Sequence, residues 1–187
     1  LLARGDVVAA RRELDAIAER VGTAARPAHD VAQLYMRFGD AERAADFYAR
    51  AVAIEPGSPA FRYNLSTALI ALGRMDEAES ALDSVIATQP RDYDAWYNRA
   101  TLRTQTPDRS HVAAIERELA RPDLQPRDLV PLCYALAKEL EDLGDFERSF
   151  KALVRGAAAR RAMLSYRVED DESIMREIGA AFTERIV

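Results

Sequence analysis

Cysteine is almost absent from this sequence, and glycine and proline are scarce. Among 187 residues there are one cysteine, eight glycines and eight prolines. The single Cys133 excludes an intrachain disulfide framework and indicates a reducing compartment, which we expect to be the cytoplasm. Few glycines and prolines argue against strand-rich folds, because such folds need many tight turns. No apolar run reaches the roughly 18 residues of a membrane-spanning helix, so no membrane contact is expected.

Positive charge is also in short supply. Lys and Arg number 26 against 31 Asp and Glu, which leaves a net charge of −5. A surface dedicated to nucleic acid normally needs a basic excess. Nucleic acid is therefore not an expected partner.

The residues that usually carry catalysis are few and scattered. His29 and His111 fall in different parts of the chain and are interpreted as surface or capping residues. Cys133 is interpreted as a buried apolar side chain. No metal-ligand cluster or glycine-rich phosphate loop is found. We therefore expect no catalytic site, no metal site and no cofactor.

What the sequence does contain is a repeat. Gly5, Gly39 and Gly73 are equally spaced, and Gly144 comes after two more of the same intervals plus three positions. Glycine ends a helix readily because it adopts the left-handed conformation without a side-chain penalty. The aspartates directly after Gly39 and Gly144 can cap the next helix by accepting backbone N–H bonds. Each interval therefore predicts two antiparallel helices joined by a tight turn.

Two further features recur in phase with these glycines. A small residue lies about five positions after each glycine, and a larger apolar residue follows one helical turn later, where both face the partner helix. Pro56 and Pro90, separated by the same interval as the glycines, end the second helix of a repeat. The small and large pairs are Ala10 and Leu14, Ala44 and Tyr48, Ala78 and Leu82, and Ser149 and Leu153.

One repeat breaks the pattern. Pro107 stands where a glycine is due, and residues 105–110 predict a looser turn capped by Asp108 or Ser110. A proline-rich connector at 121–128 takes up the three extra positions. The predicted helices span residues 6–20, 27–38, 41–54, 59–72, 75–88, 93–104, 110–121, 127–143, 146–164 and 171–183.

The whole pattern resembles the tetratricopeptide repeat (TPR) family, whose period of about 34 residues equals the interval between the glycines. Partial first-helix signatures stand in phase in Ala28-x-x-Val31-Ala32-x-x-Tyr35, Leu65-Ser66-x-x-Leu69, Trp96-Tyr97-Asn98 and Leu136-Ala137-x-x-Leu140. The resemblance implies an all-α solenoid, a right-handed superhelix of antiparallel helix pairs with a C-terminal non-repeat capping helix. The implied array covers 1–163, with a partial repeat 1–24, repeats 25–58, 59–92, 93–129 and 130–163, and a linker with capping helix at 164–187.

In this family the first helix of each repeat lines a concave groove, which implies a scaffold that binds a protein or peptide. Tyr63 and Tyr97 lie one repeat period apart, and each is followed by an asparagine. Tyrosine and asparagine suit an extended chain, because asparagine pairs with both backbone groups and tyrosine offers flat area. The alternative is that they pad the groove and satisfy neighbouring helices. The candidate groove residues are His29, Tyr63, Asn64, Tyr97, Asn98, Arg99, Arg103, Tyr134 and Lys138.

A narrower resemblance covers residues 124–166. The stretches Leu124-Gln125-Pro126-Arg127-Asp128, 133–150 and Arg160-Arg161 are similar to the last repeat and linker of bacterial proteins that join a TPR array to a sulfotransferase domain. That resemblance implies a non-catalytic N-terminal region, which presents substrate to a C-terminal catalytic domain in the same polypeptide. The start at Leu1, with neither methionine nor signal peptide, is interpreted as a cut into a longer protein.

Overall fold

A computed structural model describes residues 6–182, and the regular secondary structure in that part of the chain is entirely α-helical. Its helices, in chain order, are α1 (Val7–Glu19), α2 (Ala25–Arg37), α3 (Ala41–Ile54), α4 (Pro59–Ala71), α5 (Met75–Thr88), α6 (Tyr93–Thr101), α7 (Val112–Leu119), α8 (Pro126–Asp142), α9 (Phe146–Met163) and α10 (Val168–Ala181). Gly5, predicted to mark the first turn, and Thr183, predicted to end the last helix, lie outside the described residues.

Outside the irregular repeat of α6 and α7, the helices pack as successive antiparallel pairs. α2 packs on α3, α4 on α5 and α8 on α9, and the pairs stack through α3 on α4 and α6 on α8. Two apolar clusters hold the stack together near its start, and a larger one extends from Leu82 to Ala152. Each helix pair therefore buries its apolar face against its neighbours along the chain, as repeat architectures do.

The glycine turns have the predicted geometry. Gly39, Gly73 and Gly144 have φ angles of 74°, 72° and 80°, in the region that favours glycine. Asp40 then accepts a bond from the backbone N–H of Arg43, and Asp145 repeats this arrangement with Arg148, both at 3.2 Å. The local chemistry of these turns therefore suffices to set the helix boundaries around them.

The irregular repeat differs more from the prediction. α6 ends at Thr101 rather than near residue 104, and α7 has only eight residues. Gln105 explains the early end, because its side-chain amide donates to the carbonyls of Arg99, Ala100 and Arg103 at 3.1–3.3 Å. A buried side chain thus takes over carbonyls that a further helical turn would have satisfied.

The far end of the array contradicts two expectations. Leu14, Tyr48 and Leu82 are buried as predicted, but Leu153 is 46% exposed. No further repeat covers α9 within residues 6–182, and α10, predicted to cap it, has no buried residue. The capping prediction is therefore wrong for the described residues, and Leu153 is exposed because no described helix packs over it.

Candidate functional site

The first helices of successive repeats, α2, α4, α6 and α8, form what we call the first-helix face. Two asparagines link neighbouring helices of this face. Asn98 donates its side-chain N–H to the Tyr63 hydroxyl at 2.7 Å, and the Asn64 amide lies 2.8 Å from Nε2 of His29. Both bonds join positions 35 residues apart, so the same contact recurs one repeat later. The asparagines therefore connect adjacent repeats.

His29, which takes part in the first of these two contacts, is buried. Its ring packs against Phe61 and Tyr48, with centroids 4.9 and 5.4 Å away. With Asn64 as donor, Nε2 accepts, and Nδ1 faces the Asp30 carboxylate at 3.3 Å. The interpretation of His29 as a surface or groove residue is wrong, because its position is enclosed by aromatic and polar neighbours.

Tyr63 is half-buried and keeps its proton at neutral pH. Burial raises the pKa of Tyr63, the nearby negative charge of Asp94 raises it further, and the Asn98 bond lowers it. The hydroxyl accepts from Asn98 and still carries a hydrogen that it can donate. An edge of Tyr63 can therefore offer a hydrogen bond to a carbonyl laid across this face.

Tyr97 and Tyr134 occupy equivalent repeat positions but differ in their surroundings. Tyr97 is 38% exposed on α6. Tyr134 is half-buried, and its ring lies against Gly156 on α9, where a Cβ would be 3.0 Å from Cε1 of the ring. Tyr134 thus packs between α8 and α9, and the residues of the tyrosine row available to a ligand are Tyr97 and the edge of Tyr63.

Arg99 is not a groove residue. Its side chain is 4% exposed and lies between α5 and α6, where it contacts Glu79 at 2.9 Å and Asp83 at 3.1 Å. A third contact runs from its guanidinium to the side-chain oxygen of Gln105. The repeat phase carries a signal for this, because Arg99 stands one period after Leu65, at a position that packs against the core.

The other candidate cations are also engaged within the chain. Arg103 contacts Asp76 at 2.8 Å and Glu79 at 3.3 Å, both on α5. Lys138 bonds to both carboxylate oxygens of Asp142. These contacts place Arg103 and Lys138 in the framework around the irregular repeat, since each pairs with a carboxylate of the same chain.

A pocket of about 570 Å³ opens where the starts of α6 and α8 meet the end of α9. Its apolar lining includes Val130, Pro131 and Met163, and its charged lining includes Arg127 and Arg160. Asp94 also lines it and lies one helical turn before Tyr97 on α6. Sequence reasoning missed this pocket, because it is assembled from three helix ends far apart in the chain.

The described residues were also searched for a metal site, a membrane-spanning helix and a reactive cysteine. Between residues 6 and 182, no three His, Cys, Asp or Glu side chains are grouped to hold a metal ion. The same part of the chain has no helix long and apolar enough to cross a membrane. Cys133 is fully buried, and burial raises the pKa of its thiol, which disfavours the reactive thiolate. The interpretation of Cys133 as a packing residue is thus confirmed.

Comparison with known families and structures identifies the fold. Residues 35–105 match the tetratricopeptide repeat family. No curated protein sequence matches the chain significantly.

Solved structures with the same helix arrangement cover most of the chain. One is MamA, with a TM-score of 0.66 and 17% identity over 88% of this chain and 94% of that one. MamA from Desulfovibrio magneticus RS-1, residues 41 to the end, gives 0.51 and 18% over 72% and 75%. BtubC from P. vanneervenii gives 0.59 and 23% over 76% and 65%. At these identities the likeness shows the fold alone, and the predicted all-α solenoid of TPR type is confirmed.

Proposed function

We propose that this chain is an interaction scaffold that binds an extended peptide across the first-helix face. The observation that carries the proposal is the exposed Tyr97 ring, which lies one helical turn from the pocket lined by Asp94. Tyrosine is enriched among residues that dominate binding energy, because it combines apolar area with a hydroxyl group. We assign no catalytic step to these residues.

The peptide's contacts follow from the geometry of the face. Tyr97 supplies a flat apolar surface, the Tyr63 hydroxyl can donate to a peptide carbonyl, and each asparagine keeps its side-chain oxygen for a peptide N–H. The pocket beside Pro131 and Met163 suits one apolar side chain. The arginines and aspartates around the pocket mix both charges, so we expect an anchoring apolar residue with polar neighbours in the peptide.

Removing the Tyr97 ring is expected to weaken peptide binding by about tenfold, which corresponds to roughly 1.4 kcal/mol. The probe is a peptide selected from a random library displayed on phage and then synthesised with a fluorophore. Fluorescence anisotropy gives its dissociation constant for the unmodified chain and for Tyr97→Ala. Circular dichroism should remain helical in the variant, because Tyr97 is exposed and not part of the core.

The control for this experiment is Ile54→Ala, which removes a comparably exposed apolar side chain at the end of α3. Ile54→Ala should leave peptide affinity unchanged. Tyr63 is less suitable for truncation, because it packs against the main core cluster. Equal affinities for Tyr97→Ala and Ile54→Ala would contradict the assignment of the face.

The narrower resemblance supplies a second candidate, in which this chain is the N-terminal TPR region of a sulfotransferase. The feature that favours it is α10, an amphipathic helix that comes after the array without packing on it. The gene tests it directly, since a phosphate-binding loop encoded shortly after Val187 would support it and a stop codon there would contradict it. The link to a sulfotransferase domain and the cytoplasmic location both stay predictions.

A further inference from the structure

The outer face of α9 is apolar and uncovered. Phe146, Phe150, Leu153 and Val154 are spaced four, three and one residues apart, which places them on one side of the helix. They are 46–68% exposed. We call these four residues the α9 stripe. Side chains of this size usually mark an interaction surface when they form a contiguous exposed group.

A second uncovered stripe lies on α10. Ile174, Met175, Ile178 and Phe182 follow the same helical spacing and are 47–69% exposed. These residues form the α10 stripe. An isolated amphipathic helix of this length is only marginally stable in water, and it gains most of its stability by packing its apolar side. The α10 stripe therefore needs a partner surface.

The two helices carry opposite charge. α9 has five basic residues and one acidic residue, and α10 has five acidic residues and one basic residue, so their net charges are +4 and −4. Such complementarity favours contact between these two helices and disfavours two α9 or two α10 helices meeting each other. It also argues against an anionic membrane as the surface for α10, because acidic helices are repelled there.

The short connection between the helices holds α10 away from the α9 stripe of its own chain. Arg161 donates to the backbone carbonyl of Tyr166 at 3.0 Å and lies over the Tyr166 ring, 5.7 Å from its centroid. The Tyr166 hydroxyl in turn donates to Asp171 at 2.7 Å, at the start of α10. These contacts fix a corner between α9 and α10 that leaves both stripes open.

We infer that two copies of this chain associate by exchanging α10, so that the α10 stripe of each copy covers the α9 stripe of the other. The exchange places a −4 helix on a +4 helix twice in a closed, twofold arrangement. It buries both exposed stripes, so that α10 of the other copy packs over Leu153. The first-helix face lies on other helices, and the two residues that α9 contributes to the neighbouring pocket, Arg160 and Met163, follow the α9 stripe at the end of the helix, so the peptide site remains open.

Cross-linking between differently tagged chains tests the exchange. One chain carries Phe150→Cys and a size tag, and the other carries Ile178→Cys without a tag, so a disulfide between the two new thiols joins two molecules. We expect a mixed-size product on a non-reducing gel under mild oxidation. The matched control is Glu169→Cys, which lies on the opposite side of α10 and should give far less of it. Equal yields from both pairs, or none from the first, would overturn the exchange.

Mass in solution supplies a second measurement. Light scattering of the unmodified chain should give twice 20.8 kDa at high concentration. Phe150→Glu places a charge in the α9 stripe and should raise the dimer dissociation constant at least about tenfold. Ala49→Glu, an exposed site on α3, should leave it unchanged. A monomeric mass at every concentration would overturn the proposal.

Discussion

Replacing Arg99 with leucine is expected to lower the free energy of unfolding by about 3–5 kcal/mol, although leucine suits the helix and the apolar surroundings. The reason is the set of groups left behind. Glu79 is buried and lies 2.9 Å from the guanidinium, and the Gln105 side chain is buried beside it. Once the guanidinium is gone, the buried Glu79 carboxylate loses its nearest positive charge, and the buried Gln105 amide oxygen loses its hydrogen-bond donor.

The loss should extend to the irregular segment. Gln105 ends α6, and its backbone N–H donates to Asp142 of α8 at 2.8 Å. Glu139, also on α8, accepts from the Ser110 hydroxyl and from the backbone N–H of His111. Arg99 thus stands at one end of a polar network that pins residues 102–111 to the next repeat. We expect faster amide exchange in this segment of the Arg99→Leu variant.

Urea denaturation followed by circular dichroism measures the effect. Arg26→Leu is the control, because Arg26 forms an exposed pair with Asp30 that is screened by water and should contribute little. A double-mutant cycle with Glu79→Gln separates the pair from its surroundings. The double variant should lose less stability than the two single losses added together. Additive losses would mean that the Arg99–Glu79 contact contributes no coupling.

Gly156→Val is expected to cost about 2–3 kcal/mol or more, because α8 and α9 meet at this glycine. A Cβ at position 156 would lie 2.8 Å from the Cβ of Cys133 and 3.0 Å from the Tyr134 ring. The Cys133 Cβ is fixed to the backbone of α8, so the helices must separate to admit a side chain. Separation would expose Cys133 and Leu132, which are now fully buried.

Gly179 provides a matched control for this substitution. It also lies within a helix, but no atom comes within 4 Å of a Cβ built there. Because α10 does not pack on the array, Gly179→Ala should raise only the helicity of α10, through the better helix propensity of alanine, and should leave the urea midpoint of the array unchanged. Gly156→Ala should lower that midpoint, and a lower midpoint for this variant alone would support the close α8–α9 approach. A stabilised Gly156→Ala variant would contradict it.

The repeat architecture was predictable because its signals are local. Gly39, Gly73 and Gly144 determine three turns through their own backbone freedom, and an adjacent aspartate caps the helix after Gly39 and after Gly144. Helix periodicity also identified which small residues face a partner, such as Ala44 and Ala78, both fully buried. Neither inference required knowledge of distant parts of the chain.

The candidate site was less predictable, because phase along a helix does not reveal what a side chain meets. Tyr97 and Tyr134 hold the same repeat position, yet the Tyr134 ring packs in the α8–α9 contact because Gly156 on α9 leaves room for it. Arg99 stands in phase with Leu65 and is buried because acidic residues on α5 happen to reach it. Leu153 is exposed because no described helix packs over it, which its phase along α9 does not reveal.

The sequence left two roles open for Asn64 and Asn98, which are binding an extended peptide and satisfying neighbouring helices. Asn64 and Asn98 do link neighbouring helices, since the Asn64 amide contacts the His29 ring and the Asn98 amide donates to the Tyr63 hydroxyl, each in the preceding repeat. That contact uses the amide nitrogen, while the oxygen of each side chain stays available to a ligand. A linking role for the asparagines is thus compatible with the proposed binding face.

The central claim, that the first-helix face binds an extended peptide, is tested most directly by mapping where a selected peptide contacts the chain. Isotope-labelled protein is titrated with the phage-selected peptide, and backbone amide shifts are followed by NMR. We expect the largest shifts on α4, α6 and the start of α8, centred on Tyr97, Asn98 and Val130. Shifts confined to α3, α5 and α7, or their absence at saturating peptide, would contradict it.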